Sequence, residues 1–199
     1  PINSLPMTSR TSQSSLQQYF EAHQKVVGDS LASLAPAIAA SAEAMAAALV
    51  EGKKVIAFGN GGSATQASHL VGELLGRFKK NRRPLPAVAL ACDPAAVTCI
   101  ANDFGYETLF ERQVEAFAQP GDIAVGLTTS GKSENVLRGL AAARKGGAIT
   151  IAATGAAGLA AGATADHVLA VPSDVTAHIQ EMHLMLLHLW CVAVDEAVE

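Results

Sequence analysis

The chain is short of aromatic rings and of charge: only 5% of its 199 residues are Phe, Trp or Tyr, and 16% are charged. Half the residues are apolar, so disorder is excluded, and Ala, Leu, Ile and Val are left to build the core. No general cationic surface exists, because the formal net charge is −4, and a nucleic-acid partner is not expected. The one basic run, Arg77–Arg83, holds a single aromatic and reads as a solvated helix end and loop. Cysteine is scarce too. Cys92, Cys99 and Cys191 show no C-x-x-C spacing, which excludes a disulfide framework and reads as reduced, mostly buried thiols of a cytoplasmic protein. The N-terminal stretch is polar and has no apolar h-region, so no secretory leader is expected. Residues 31–50 are Ala-rich and long enough to raise the membrane question, but Pro36, Ser41 and Glu43 interrupt them. A buried or intersubunit helix is the expectation, with no membrane partner.

What is present is a change of period. After a flexible tail over 1–10, Leu16, Phe20, His23 and Val27 recur at helical spacing, and a second helix is expected from Leu31 to Val50. Short apolar runs follow at Val55–Phe58, Ala87–Ala91, Ile123–Leu127, Ile149–Ala153 and Val168–Val171. Continuous apolar runs alternating with helices predict a parallel sheet covered on both faces. The fold expected is therefore α/β, doubly wound and flavodoxin-like, with about five parallel strands in one domain over 11–199. Two helices precede it and a long one closes it. That last helix, Thr176–Glu196, is apolar nearly all round, which predicts burial, naturally at a subunit interface, and hence a homo-oligomer.

Ligands of open parallel sheets sit beyond the carboxyl ends of the strands, and three loops rich in small polar residues lie there. Gly59-Asn60-Gly61-Gly62-Ser63 opens a helix that carries His69 and Glu73 at i and i+4, on one face. Such a pair can share a metal or perform proton transfer; the bland alternative is a hydrogen-bonded or solvated pair. The second loop is Asn102-Asp103-Phe104-Gly105. The third, Thr128-Thr129-Ser130-Gly131-Lys132-Ser133, offers four hydroxyls before a helix start, more than a cap requires, and predicts phosphate binding. Gly126–Ser133 also matches G-x-x-x-x-G-K-[ST] letter for letter. The following strand ends without a magnesium-holding acid, and nucleotide hydrolysis would leave Asn60–Ser63, His69 and Glu73 without a task. His188 lies within the apolar final helix, where a neutral core histidine is the ordinary explanation. Gln180 precedes it by roughly 12 Å of axial rise, so spacing alone suggests no shared ligand set.

Together, NGGS, the H-x-x-x-E helix, NDFG, the TSG-x-S loop and the IQEMH…H helix resemble the sugar isomerase (SIS) superfamily and, within it, the phosphoheptose isomerase family. The resemblance covers nearly the whole chain beyond the first ten residues. It implies interconversion of sedoheptulose 7-phosphate and an aldoheptose 7-phosphate through an enediol(ate), the first step of nucleotide-activated heptose biosynthesis. It implies that Asn60, Gly61, Gly62, Ser63, Asn102 and Asp103 meet the sugar, and that Thr128, Thr129, Ser130 and Ser133 hold the phosphate with help from Gln180. Glu73 and His188 match the catalytic pair, their division of labour open, with Glu73 the candidate base at carbon and His188 the acid/base at oxygen. His69, Glu73, Gln180 and His188 match positions that bind one zinc per subunit, Glu73 thus having a possible place in both sets. Tetramers with sites at subunit interfaces are implied as well, which would let side chains from different subunits converge. Thr128, where serine is usual, Lys132, where asparagine is common, and His178, where arginine is common, depart from the pattern. A non-catalytic SIS tetramer that partners the replication initiator is the alternative; the presence of both Glu73 and His188 speaks against it.

Overall fold

The computed structural model describes residues 13–160 and 163–198. The apolar runs pair as five strands: β1 (Val55–Gly59), β2 (Ala87–Ala89), β3 (Ile123–Thr128), β4 (Ile149–Thr154) and β5 (His167–Ala170). All are parallel, in the order β2-β1-β3-β4-β5. Each central strand is buried on both faces, so its residues divide by parity. Val55, Ala57, Val125 and Ile151 point to one core, whereas Ile56, Phe58, Ala124 and Ala152 point to the other. The first core is closed by α1 (Gln13–Val50), α2 (Gly62–Leu75) and α6 (Thr176–Ala197); α4 (Leu109–Phe117) and α5 (Glu134–Lys145) close the second, with α3 (Pro94–Phe104) at its margin. The strand order reverses between β1 and β3, which leaves a crevice beyond their carboxyl ends.

The expected α/β fold and its five strands are present. The N-terminal region differs: one helix of 38 residues, α1, replaces the two expected. Gly28 costs a helix only about 1 kcal/mol. The turn around it is bridged by the Lys25–Asp29 ion pair and by the Ser33 hydroxyl donating to the Asp29 carbonyl. Pro36 is carried inside the same helix. Among the described residues α1 is the one helix long and apolar enough to cross a membrane by length and composition; it buries Met45, Ala46 and Leu49 in the protein's own core. The tail over 1–10 and the domain's start at 11–12 lie outside the described residues.

Two further expectations are corrected. Cys92 and Cys99 are exposed, and only Cys191 is buried: Cys92 lies in the turn before α3, and α3, which carries Cys99, buries no residue fully. Burial pushes the Cys191 thiol up to about 12. The run Arg77–Arg83 is not wholly solvated: the Arg82 side chain is 1% exposed and pairs with Asp195 of α6 at 3.0 Å. Arg82 also donates to the carbonyls of Glu73 and Leu74 at the end of α2, satisfying groups that a helix end leaves open. Desolvation opposes the charge on Asp195, but the amides of Lys80 and Lys79 and the Arg82 guanidinium outweigh it and hold the carboxyl below its ordinary range.

His183, on α6, is fully buried, with Nε2 3.2 Å from the Thr154 carbonyl. A carbonyl only accepts, so Nε2 carries the proton, and Nδ1 has no partner among the described residues. Burial pushes this imidazole down from 6.5 to about 4, against the weaker upward effect of the Thr154 bond. The unfolded chain takes a proton in that range and the folded chain does not. The associated stability is therefore present above pH 6.5 and lost as pH falls towards 4. Urea unfolding of wild type and His183→Leu at fixed protein concentration should show their stability difference shrinking by about 3 kcal/mol over that window. A pH-independent difference would contradict a neutral buried His183.

Candidate active site

At the carboxyl end of β1 the chain turns through Asn60 and Gly61 directly into α2. Gln180 lies against this turn: a Cβ on Gly62 would come within 2.6 Å of Gln180 Nε2, so a side chain there would displace the amide from this position. Gln66 donates to the Gln180 backbone carbonyl at 2.6 Å. The start of α6 is thereby docked on the start of α2.

Asn60 does not wait free in the crevice. Its amide exchanges two hydrogen bonds of 2.9 Å with the amide of Asn135, and its Oδ1 also accepts from the Tyr106 hydroxyl at 2.8 Å. Asn135 is buried in the first turn of α5, immediately after the hydroxyl-rich loop. The glycine-rich loop after β1 and the hydroxyl-rich loop after β3 are thus tied by one amide pair. Sequence reading singled out neither Asn135 nor Tyr106. Their signals were an amide just inside the helix that the phosphate loop opens, and a tyrosine directly after NDFG.

In the phosphate loop, Thr128 Oγ1 and Ser133 Oγ are 3.1 Å apart, and the Lys132 amide donates to Ser130 Oγ at 3.2 Å. Gly131 has φ +66°, and a Cβ there would stand 1.7 Å from the Gly158 carbonyl oxygen, so the loop is packed against the segment after β4. Ser133 occupies the N-cap of α5 and makes no capping bond with its side chain. The helix start thus presents both hydroxyl and backbone N–H groups, an arrangement that suits an anion. A cavity of about 270 Å³ opens here, lined by Thr129, Ser130, Lys132, Ser173, Asp174 and Thr176 among others. A larger cleft of about 620 Å³ beside β2, α3 and α4 is lined mainly by apolar side chains, poor partners for a sugar phosphate. Asn102 and Asp103, exposed at the end of α3, bond to each other at 2.6 Å; Cys99 Sγ approaches the second Asp103 oxygen at 3.6 Å.

Farther along α2, His69 Nε2 meets Glu73 Oε1 at 3.0 Å, and His188 Nε2 of α6 lies 3.3 Å from His69 Nε2. Phe78 stacks on the His188 ring with centroids 5.4 Å apart. Both helices follow strands of a parallel sheet, so they run in the same direction, and His188 meets His69 just as Gln180 meets Gly62. The three ligand atoms lie within 4.8 Å of one another. Two ligands about 2.1 Å from one tetrahedral ion stand roughly 3.4 Å apart, so this donor set fits a zinc ion. Gln180 is not in the cluster. It sits beside Gly62, and His69 is roughly 10 Å of axial rise farther along α2.

Removing Asn135 tests the amide bridge. Asn135→Ala removes both hydrogen bonds that tie the half-buried Asn60 amide to Asn135, each of which contributes about 0.5–1.5 kcal/mol. Denaturant unfolding should record a loss of that order, and sugar phosphate binding should weaken with it. Unchanged stability would contradict the bridging role.

The SIS domain family matches residues 18–155 of the chain. The phosphoheptose isomerase of Aquifex aeolicus is 54% identical over 154 residues, 77% of this chain and 81% of that protein. That of Geotalea daltonii is 46% identical over 176 residues, 88% of this chain and 92% of its own length. The solved structure of a phosphoheptose isomerase from Francisella tularensis superposes with a TM-score of 0.84 at 36% identity, covering 94% of this chain and all of that one. A shared sheet, a glycine turn docked under Gln180, a hydroxyl-rich loop at a helix start and relatives at this identity agree, and the chain belongs to the phosphoheptose isomerase family of SIS-domain enzymes.

Proposed function

We propose that this isomerase interconverts sedoheptulose 7-phosphate and D-glycero-heptose 7-phosphate through an enediol(ate). The observation that carries this reading is the convergence of Glu73 and His188, from two different helices, on His69, in a chain whose β3 loop is built for an anion. Binding the phosphate at a point remote from the reacting carbons holds those carbons in place for proton transfer. Thr128, Thr129, Ser130, Ser133 and the amides of α5 are its proposed holders, with help from Gln180, while Asn60, Gly61, Gly62, Ser63, Asn102 and Asp103 meet the sugar. Glu73 lifts the proton from C1 of the ketose and returns one to C2. His188 moves the other proton between the two oxygens. The stacking of Phe78 holds the His188 ring in the orientation this requires.

The reading includes a zinc ion whose donors would be His69, Glu73 and His188, with Gln180 as a further ligand where a partner subunit brings it near; a Glu73 bound tightly to such an ion is not free as base, so Glu73 serves as one or the other. When bound, such an ion polarises a carbonyl oxygen. We also propose a homotetramer in which sites are completed across subunit interfaces. Leu16, Phe20 and Leu31 of α1 and Met185 and Leu189 of α6 are exposed apolar side chains that a partner subunit would cover. Cytoplasmic residence is part of this reading, in keeping with three free thiols. The alternative of a non-catalytic partner of the replication initiator finds no support in relatives that are themselves named isomerases.

Glu73→Gln and His188→Gln each remove a titrating group while keeping a polar side chain. Steady-state assays should show turnover reduced on the order of 10²- to 10⁴-fold by either change, with folding and oligomeric state retained. The double variant should be scarcely worse than either single one if the two act as a unit. Near-normal turnover by Glu73→Gln would remove it as the base.

For the phosphate loop, Ser130→Ala should raise KM, and Lys132→Ala should change it far less, because hydroxyls and backbone amides rather than the exposed lysine hold the anion. Loss of binding in Lys132→Ala together with ATP hydrolysis by the wild type would replace this account with the P-loop reading.

A further inference from the structure

A second group of ligand-type side chains stands apart from the His69–Glu73–His188 cluster, joining α1 to the start of α6. His23 Nδ1 lies 2.9 Å from Glu181 Oε2, and His178 Nδ1 lies 3.1 Å from the same oxygen. All three atoms fall within 4.8 Å of one another. His178 is buried, and the other two are half-buried.

Hydrogen bonding joins His178 Nδ1 to Glu181 Oε2 but does not account for His23. His23 Nδ1 is buried and has no hydrogen-bond partner, although a carboxylate oxygen stands beside it. The two groups are close without being aimed at one another, as donors are when they point to a common centre. Two atoms bound to one ion at about 2.1 Å stand roughly 3.0 Å apart at a right angle and 3.4 Å at the tetrahedral angle. The separations of 2.9 and 3.1 Å match the right-angle value and fall short of the tetrahedral one. The other Glu181 oxygen accepts from the Tyr19 hydroxyl, the kind of outer contact that orients a ligating carboxylate. Two imidazoles and one carboxylate form a donor set suited to zinc or cobalt and poorly suited to magnesium or calcium, which take oxygen ligands.

We propose that His23, His178 and Glu181 bind one divalent transition-metal ion, separate from the family's zinc position, which fastens α1 to the first turns of α6. Such an ion would fix the helix start that also presents Gln180 to Gly62. It is a structural clamp and takes no part in proton transfer, so the proposal stands independently of the isomerase mechanism.

Its test counts ions rather than turnovers. His69→Gln, which removes the central ligand of the other cluster, is stripped with a chelator and titrated with cobalt(II). Bound metal is counted by equilibrium dialysis with atomic emission, and the ligand field is read from the visible spectrum. One cobalt per chain is expected to remain, with d–d bands showing nitrogen and oxygen ligation. Adding His178→Gln to this variant should abolish that ion. Adding His23→Gln, a change on a half-buried face of α1, should do the same with the circular dichroism unchanged, which separates loss of the site from loss of the fold. Absence of cobalt from His69→Gln, or retention of its one ion after His23→Gln, would overturn the proposal, leaving a hydrogen-bonded cluster.

Discussion

The site depends on the register between α2 and α6, two helices that run the same way along one face of the sheet. At one end, Gln180 occupies space that any side chain at position 62 would fill. At the other, Arg82 carries the carbonyls of Glu73 and Leu74 onto Asp195. Between these pins, Leu70, Val71, Leu74, Leu186, Leu187 and Cys191 belong to one buried core. A shift of one residue along either helix would turn His188 by about 100° and away from His69. The buried Arg82–Asp195 pair costs desolvation, and its six hydrogen bonds to side chain and backbone offset that cost. Its value is to fix where α6 stops against α2.

The sheet supplies the second constraint. The reversal of strand order between β1 and β3 sends their following helices to opposite faces and parts the two loops at the carboxyl edge. The Asn60–Asn135 amide pair spans that parting. The proposed anion site thus draws on β3 and α5, whereas the proposed acid–base pair draws on α2 and α6. The two share a sheet and one part-buried pair of amides, so the proposed anion site and acid–base pair rest on separate packing layers.

Much of the fold was legible because buried parallel strands advertise themselves as continuous apolar runs; Val55–Phe58 and Ile123–Leu127 needed no other signal. The unbroken α1 was not legible, since Gly28 and Pro36 are helix breakers by propensity and only tertiary packing and the local Lys25–Asp29 pair carry the helix through. Arg82 looked like one member of a solvated basic run, because a single sequence does not show that Asp195 waits on another helix. Asp195 itself, an acid in an apolar helix, was the available hint. The loops of the site stood out by composition. The meeting of His188 with His69 did not, because axial rise within α6 separates His188 from Gln180 and says nothing of which neighbour each will find. Asn135 and Tyr106 escaped for the same reason: their partner, Asn60, is distant in sequence and near only through strand order.

The central claim is that this chain moves a proton between adjacent carbons of a ketose phosphate. It is tested most directly by incubating the protein with sedoheptulose 7-phosphate in D₂O and following the products by NMR. The account predicts an aldose 7-phosphate carrying deuterium at C2, because a base in the site exchanges with solvent before returning the proton. No aldose, with or without added zinc, or an aldose whose C2 hydrogen came wholly from C1 without solvent label, would contradict it.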